Sequence, residues 1–173
     1  MSTSQMHSVE AWADLSRTLR RYALGLTGSA EAAEDLAQQT IARLLARRPD
    51  KALHVGYAYA AMTRAWVDEQ RSLRRRLRRL RAAAAGIGGG SGRGGDGRPG
   101  EREDVPARRE SVRRVGRAMD ALPPRRRAAL VLRAVEGLTY EQIAAALGCT
   151  PGVVRGELYE ARRALRGLME DPR

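Results

Sequence analysis

Between Gly86 and Gly100 the chain reads GIGGGSGRGGDGRPG, nine glycines in fifteen residues, with Ile87 as its one large apolar side chain. Such a stretch cannot recover by burial the entropy lost on ordering, so it predicts a flexible linker that splits the 173 residues into two parts. A phosphate-cradling loop is the rival explanation of so many glycines. That loop needs an apolar strand before it and a closing Gly-Lys-Ser/Thr, and neither is present. The expected division is therefore residues 1–81, a linker over 82–110, and residues 111–173.

Both outer parts have helical periodicity and no convincing strand, which predicts an all-α protein of two small helical domains. Trp12, Leu15, Leu19, Tyr22 and Leu26 recur at steps of three and four, and Gly28 suits the stop. Ser29 can cap a second helix whose buried side is Ala33, Leu36, Ala37, Ile41 and Leu44. A third helix is expected from about Tyr57 to about Leu80. Beyond the linker, Val112, Val115, Met119 and Leu122 form another stripe, and a short helix should run from about Arg125 to Glu136.

The sharpest local signal follows. Thr139 and Gln142 fit a capping box, Gly148 suits the left-handed turn that ends the helix, and Thr150-Pro151 opens the next one. Ala144 is small where two helices must approach, and Val154 fills the wedge between them. This is helix-turn-helix spacing, and it offers Gly152, Val153, Arg155, Arg162 and Arg163 to a DNA groove and its phosphates. An ordinary helical hairpin with a solvated Arg face is the plainer alternative.

Charge agrees with a polyanionic partner. The net charge is +12, but all basic residues except Lys51 are Arg, which GC-rich coding inflates whatever the function. The distribution is more telling: +7 in residues 1–81, zero in 82–110 and +5 in 111–173. Residues 71–81, RSLRRRLRRLR, hold seven Arg in eleven positions around Leu73, Leu77 and Leu80. Like charges repel along a helix, so phosphate neutralisation accounts for such density better than burial does. Just before it, Tyr57, Tyr59 and Trp66 hold three of the seven aromatics. Rings among arginines suit stacking on single-stranded bases, core packing explains either tyrosine equally well, and Trp66, seven residues from Tyr59, fits a core position.

Other classes are excluded by what the chain lacks. One Cys, Cys149, allows no disulfide framework, and with only His7 and His54 beside it there is no zinc-ligand spacing. No cofactor, metal or catalytic residue is therefore expected. No apolar run reaches the roughly 18–20 residues that a membrane span needs, and the N-terminus lacks a signal pattern, so a soluble, cytoplasmic protein is expected.

Three segments together resemble the extracytoplasmic-function (ECF) group of bacterial sigma factors. RRYALGLTGSAEAAEDLAQQTIARLL looks like the opening of their second conserved region, and GYAYAAMTRAWVDEQRSLRRR is similar to its promoter-reading helix. MDALPPRRRAALVLRAVEGLTYEQIAAALGCTPGVVRGELYEARRALR resembles the fourth region almost throughout. The resemblance spans roughly residues 10–81 and 111–169.

It implies a non-enzymatic factor that binds core RNA polymerase, recognises promoter DNA at its −10 and −35 elements, and has a possible anti-sigma partner. On that basis Asp35, Gln38 and Gln39 should dock on polymerase. Tyr57, Tyr59, Arg64, Asp68 and Arg71 should lie near the melted −10 strand, with Arg74, Arg75 and Arg76 on phosphates. Thr150, Gly152, Val153, Arg155 and Arg162 should meet the −35 element.

The sequence departs from the family pattern at Tyr57 (usually Trp), Arg64 (usually Asn) and Val153 (usually Thr), and at Glu157 and Glu160, which replace basic residues. Those two carboxylates would repel phosphates if they faced the DNA backbone. A stand-alone helix-turn-helix regulator and a nucleic-acid enzyme are the alternatives from other classes.

Overall fold

A computed structural model describes residues 3–48, 51, 53–85 and 106–170. Seven helices and no strand occur among them: α1 (Thr3–Thr27), α2 (Ala30–Arg47), α3 (Val55–Ala85), α4 (Pro106–Ala121), α5 (Pro124–Ala134), α6 (Tyr140–Leu147) and α7 (Pro151–Glu170). The glycine-rich stretch Gly86–Gly100 lies outside the described residues.

Local chemistry sets most helix ends. Gly28 takes φ +71°, a left-handed value that side chains with a Cβ avoid, and so turns the chain between α1 and α2. The Ser29 hydroxyl then accepts the Ala32 amide at the start of α2. The two outer segments are longer helices than their periodicity predicts. Helix α3 runs on to Ala85 because four alanines, the best helix formers, follow Arg81; α4 starts at Pro106, a residue pre-set for a first helical position. The expected linker of 82–110 thus gives up both its ends to helix.

In the first half, Leu15, Leu19, Tyr22, Ala23 and Leu26 of α1 pack with Leu36, Ala37 and Leu44 of α2 and Ala58, Met62 and Trp66 of α3, all buried. Trp66 is a core residue, as its spacing predicts. The Thr63 hydroxyl donates to the Tyr59 carbonyl at 2.7 Å, so the Tyr22 hydroxyl, 2.7 Å from Thr63 Oγ1, must be the donor in that second bond.

In the second half, Val131, Leu132, Ile143, Ala144, Val154, Leu158 and Ala161 form the centre of the α5–α7 packing. The α4 stripe behaves differently from expectation. Ala118 and Leu122 are buried, but Val112 and Val115 are 65% and 42% exposed although α4 packs against α7. The two halves are not separate bodies in this arrangement. One continuous buried cluster includes residues of α1, α2, α3, α5, α6 and α7, and α6 packs along α3.

Candidate nucleic-acid interface

The helix-turn-helix is built as its spacing predicts. The Thr139 side chain accepts the Gln142 amide while the Gln142 side chain accepts the Thr139 amide, and Gly148 closes α6 at φ +62°. Glu141 is held below the usual carboxylate range, chiefly by its own backbone amide and then by the Thr139 hydroxyl. The Thr150 hydroxyl accepts the Val153 amide at the start of α7, and Val154 is fully buried in the wedge against α6. Thr150, Gly152, Val153, Arg155, Arg162 and Arg163 are all exposed. They lie on the outer side of α7, opposite Val154, Leu158 and Ala161.

Of the two acidic departures in α7, Glu157 turns inward and Glu160 is 41% exposed at its side chain. Glu157 Oε2 accepts from Arg126 Nε of α5 at 3.1 Å, and Glu160 lies 4.0 Å from Arg126 Nη1. Glu157 is thus paired within the domain, whereas Glu160 touches the same guanidinium only at its edge and stays partly open to solvent.

Helix α3 presents the second basic surface. Arg64, Asp68, Arg71, Arg74, Arg75 and Arg76 are exposed, and Asp68 and Arg71 pair loosely at 3.8 Å. Leu73, Leu77 and Leu80 are 45–58% exposed, so the Arg-rich end of α3 has no packed neighbour among the described residues.

Tyr57 and Tyr59, two residues apart, have opposite fates. Tyr57 is half-buried at the mouth of a cleft of about 250 Å³ between α2 and α3, lined by Thr40, Arg43, Leu44, Arg47, Arg48, Ala61 and Ala65. Thr40 Oγ1 is buried on that wall and, among the described residues, has no hydrogen-bond partner. Tyr59, expected beside the melted strand, is instead only 3% exposed. Its ring meets Tyr22 edge-on at 5.1 Å, and its hydroxyl donates to Glu136 at 2.5 Å. A side chain so placed offers no face to a base in this arrangement.

Asp35, Gln38 and Gln39 are exposed on the side of α2 away from Leu36, Ala37 and Leu44. Gln38 donates to Glu34 at 2.8 Å. Asp35 and Gln39 line a second cleft of about 480 Å³, whose other walls include Trp66 and Glu69 of α3 and Asp120 and Arg127 of the second half. Among the described residues no three His, Cys, Asp or Glu converge to hold a metal, and no helix is long and apolar enough to cross a membrane.

Arg21 and Glu136 carry no expectation from the sequence, yet they join the halves. The one local signal is Glu136 itself, an acid just past the C-terminus of α5, where the helix dipole disfavours negative charge unless a cation compensates.

Comparison with known proteins agrees with this layout. The profile for Sigma-70 region 2 matches residues 11–76, and the profile for Sigma-70, region 4 matches residues 113–165. The ECF RNA polymerase sigma factor SigE of Mycolicibacterium smegmatis is 29% identical over 97% of this chain, which spans 65% of that protein's length. The corresponding factor EcfG of Rhodopseudomonas palustris is 27% identical over 88% of this chain and 79% of its own length. The sigma-E factor of Escherichia coli K12 is 43% identical over 51 residues, 30% of this chain and 27% of that protein. In fold, the chain is similar to the sigma factor RpoE from Bartonella quintana, crystallised with the anti-sigma factor NepR. The TM-score is 0.67 at 19% identity, covering 96% of this chain and 99% of that one. With regions 2 and 4 matched in order on its two halves, the chain belongs to the ECF group of the sigma-70 family.

Proposed function

We propose that this chain binds core RNA polymerase, directs it to a class of promoters and assists opening of the duplex there, without catalysing a reaction of its own. The observation that carries this reading is the pairing, in one chain, of a capped helix-turn-helix having an exposed outer face with a projecting Arg-covered helix. The helix-turn-helix would sit at the −35 element, with Thr150, Gly152, Val153, Arg155 and Arg162 in the groove or on phosphates. The α3 surface would meet the −10 element, where Arg64, Arg71, Arg74, Arg75 and Arg76 neutralise phosphates.

The cleft beside Tyr57 suits an unstacked base. It offers an aromatic ring for stacking, a Thr40 hydroxyl with no partner among the described residues, and guanidinium groups for the adjoining phosphate. Asp35, Gln38 and Gln39 would dock on polymerase, since an exposed polar stripe contributes little to the fold it belongs to. An anti-sigma factor that covers these surfaces is a further partner under this proposal.

Reconstitution with core polymerase and run-off transcription on fragments of the source genome tests it. Discrete transcripts that require the chain are expected. Specific, tight duplex binding without polymerase, and no transcripts with it, would favour a stand-alone regulator instead.

A further inference from the structure

Glu136, just past α5, has a side chain only 1% exposed, and its three side-chain hydrogen bonds all come from the other half of the chain. Arg21 of α1 donates from Nε to Oε1 at 2.9 Å and from Nη2 to Oε2 at 2.5 Å. Tyr59 of α3 donates to the same Oε2 at 2.5 Å. A bidentate guanidinium plus a phenol is a strong arrangement for a carboxylate out of water.

The neighbouring contacts are equally close. Arg127 of α5 donates to the Leu26 carbonyl at 2.6 Å and lies 5.9 Å from the centre of the Trp66 ring. Gly25 faces Val131 so closely that a Cβ there would stand 2.5 Å from Val131 Cγ1.

This docking restrains the surfaces that the proposed function uses. It buries Tyr59, lays α6 of the DNA reader along α3, and sets Asp120 and Arg127 across the cleft from Asp35 and Gln39. Two duplex elements one and a half turns apart lie roughly 50 Å from each other, so halves that share a core cannot occupy both.

We propose that Arg21, Tyr59 and Glu136 form an internal latch that holds the chain in a closed form of low polymerase affinity. Release of the latch lets the two DNA-facing surfaces, exposed but held close together, move apart to the spacing of two promoter elements. This inference rests on the sigma-factor reading above.

The test uses the full chain with Arg21→Glu, with Glu136→Arg, and with both substitutions together. Each single change sets like charges against each other, whereas the double change restores opposite charges in reversed order. Gly25→Leu is a fourth variant, which wedges α1 from α5 without altering charge. Circular dichroism verifies that each keeps its helix content, small-angle scattering reads the radius of gyration, and titration reads affinity for core polymerase.

The single variants and Gly25→Leu should expand and bind polymerase at least fivefold more tightly. The double exchange should return both values to within twofold of wild type. Expanded variants with unchanged or weaker affinity overturn the latch and leave the sigma-factor reading standing, as does a failure of all variants to expand. Polymerase binding by none of the chains overturns that reading, and the latch with it.

Discussion

The Glu157 carboxylate lies 3.1 Å from Arg126 Nε, so the second helix of the helix-turn-helix turns this acid onto α5 instead of toward DNA. The family pattern that the sequence resembles implies a basic residue at that position, and a surface-charge argument would restore one to strengthen DNA binding. The geometry predicts the reverse. Glu157→Lys would face Arg125 and Arg126, cost about 1–2 kcal/mol of stability, and leave promoter affinity no better. Thermal melts and binding to a promoter fragment as holoenzyme check both parts.

Arg155 lies one residue past the buried Val154 and is exposed on the outer face of α7. If it reads a base edge, Arg155→Ala should cost ~1–3 kcal/mol and relax preference at one position. If it touches phosphate only, affinity should fall evenly across sequences and the salt slope should shrink by about one. Phosphate contact is the expected outcome, because Arg125 and Arg126 are held inward by Glu157. Holoenzyme binding to promoter variants at several salt concentrations decides between them.

Asp35 and Gln38 are exposed, and Gln38 pairs with Glu34 one helical turn away, a kind of contact worth ~0.2–0.5 kcal/mol. Asp35→Ala with Gln38→Ala should therefore leave the thermal midpoint nearly unmoved while weakening polymerase binding at least tenfold. Affinity equal to wild type would remove the stripe from the polymerase surface.

Thr40 carries a buried hydroxyl that has no partner among the described residues, on the wall of the α2–α3 cleft. Thr40→Val keeps the shape and removes the unsatisfied group, so stability should rise by about 1 kcal/mol. If the hydroxyl meets an unstacked base, the same variant should open promoters more slowly. Melting curves and a fluorescent-base opening assay give the two readouts.

Burial pushes the Tyr22 and Tyr59 phenols above the usual tyrosine range, and for Tyr59 the Glu136 carboxylate adds to the effect. A raised phenol stabilises the fold fully below the unfolded value of about 10, and that stabilisation is lost as pH rises through the folded value. The thermal midpoint should therefore fall above about pH 10. Tyr22→Phe, which loses its bond to Thr63, should start lower at neutral pH and fall less steeply. Melts at several pH values between neutral and alkaline check the slope.

The features legible in the sequence are those decided within a turn or two of chain. Ser29, Thr139 with Gln142, Gly148 and Val154 act on neighbours close in sequence, so their spacing alone announces caps, turn and wedge. The fate of Tyr59 is not of that kind, because its partner Glu136 is 77 residues away. The exposure of Val112 and Val115 is hidden for a related reason: a stripe says which side of a helix is apolar but not how far its neighbour extends along it. The polar stripe on α2 is visible as a pattern, yet the cleft it shares with Asp120 and Arg127 exists only once the halves meet.

Helix α3 is 31 residues long, or roughly 46 Å at the usual rise, and residues 71–83 are exposed on every side. Among the described residues its end has no tertiary support to offset the repulsion among its arginines, and an unsupported helical stretch of about a dozen residues is marginal in water. The stiffness of this arm is therefore supplied by the ions around it. Dilute electrolyte loosens it and a dense row of anions straightens it, so the molecule has a part whose mechanical character is fixed by its surroundings.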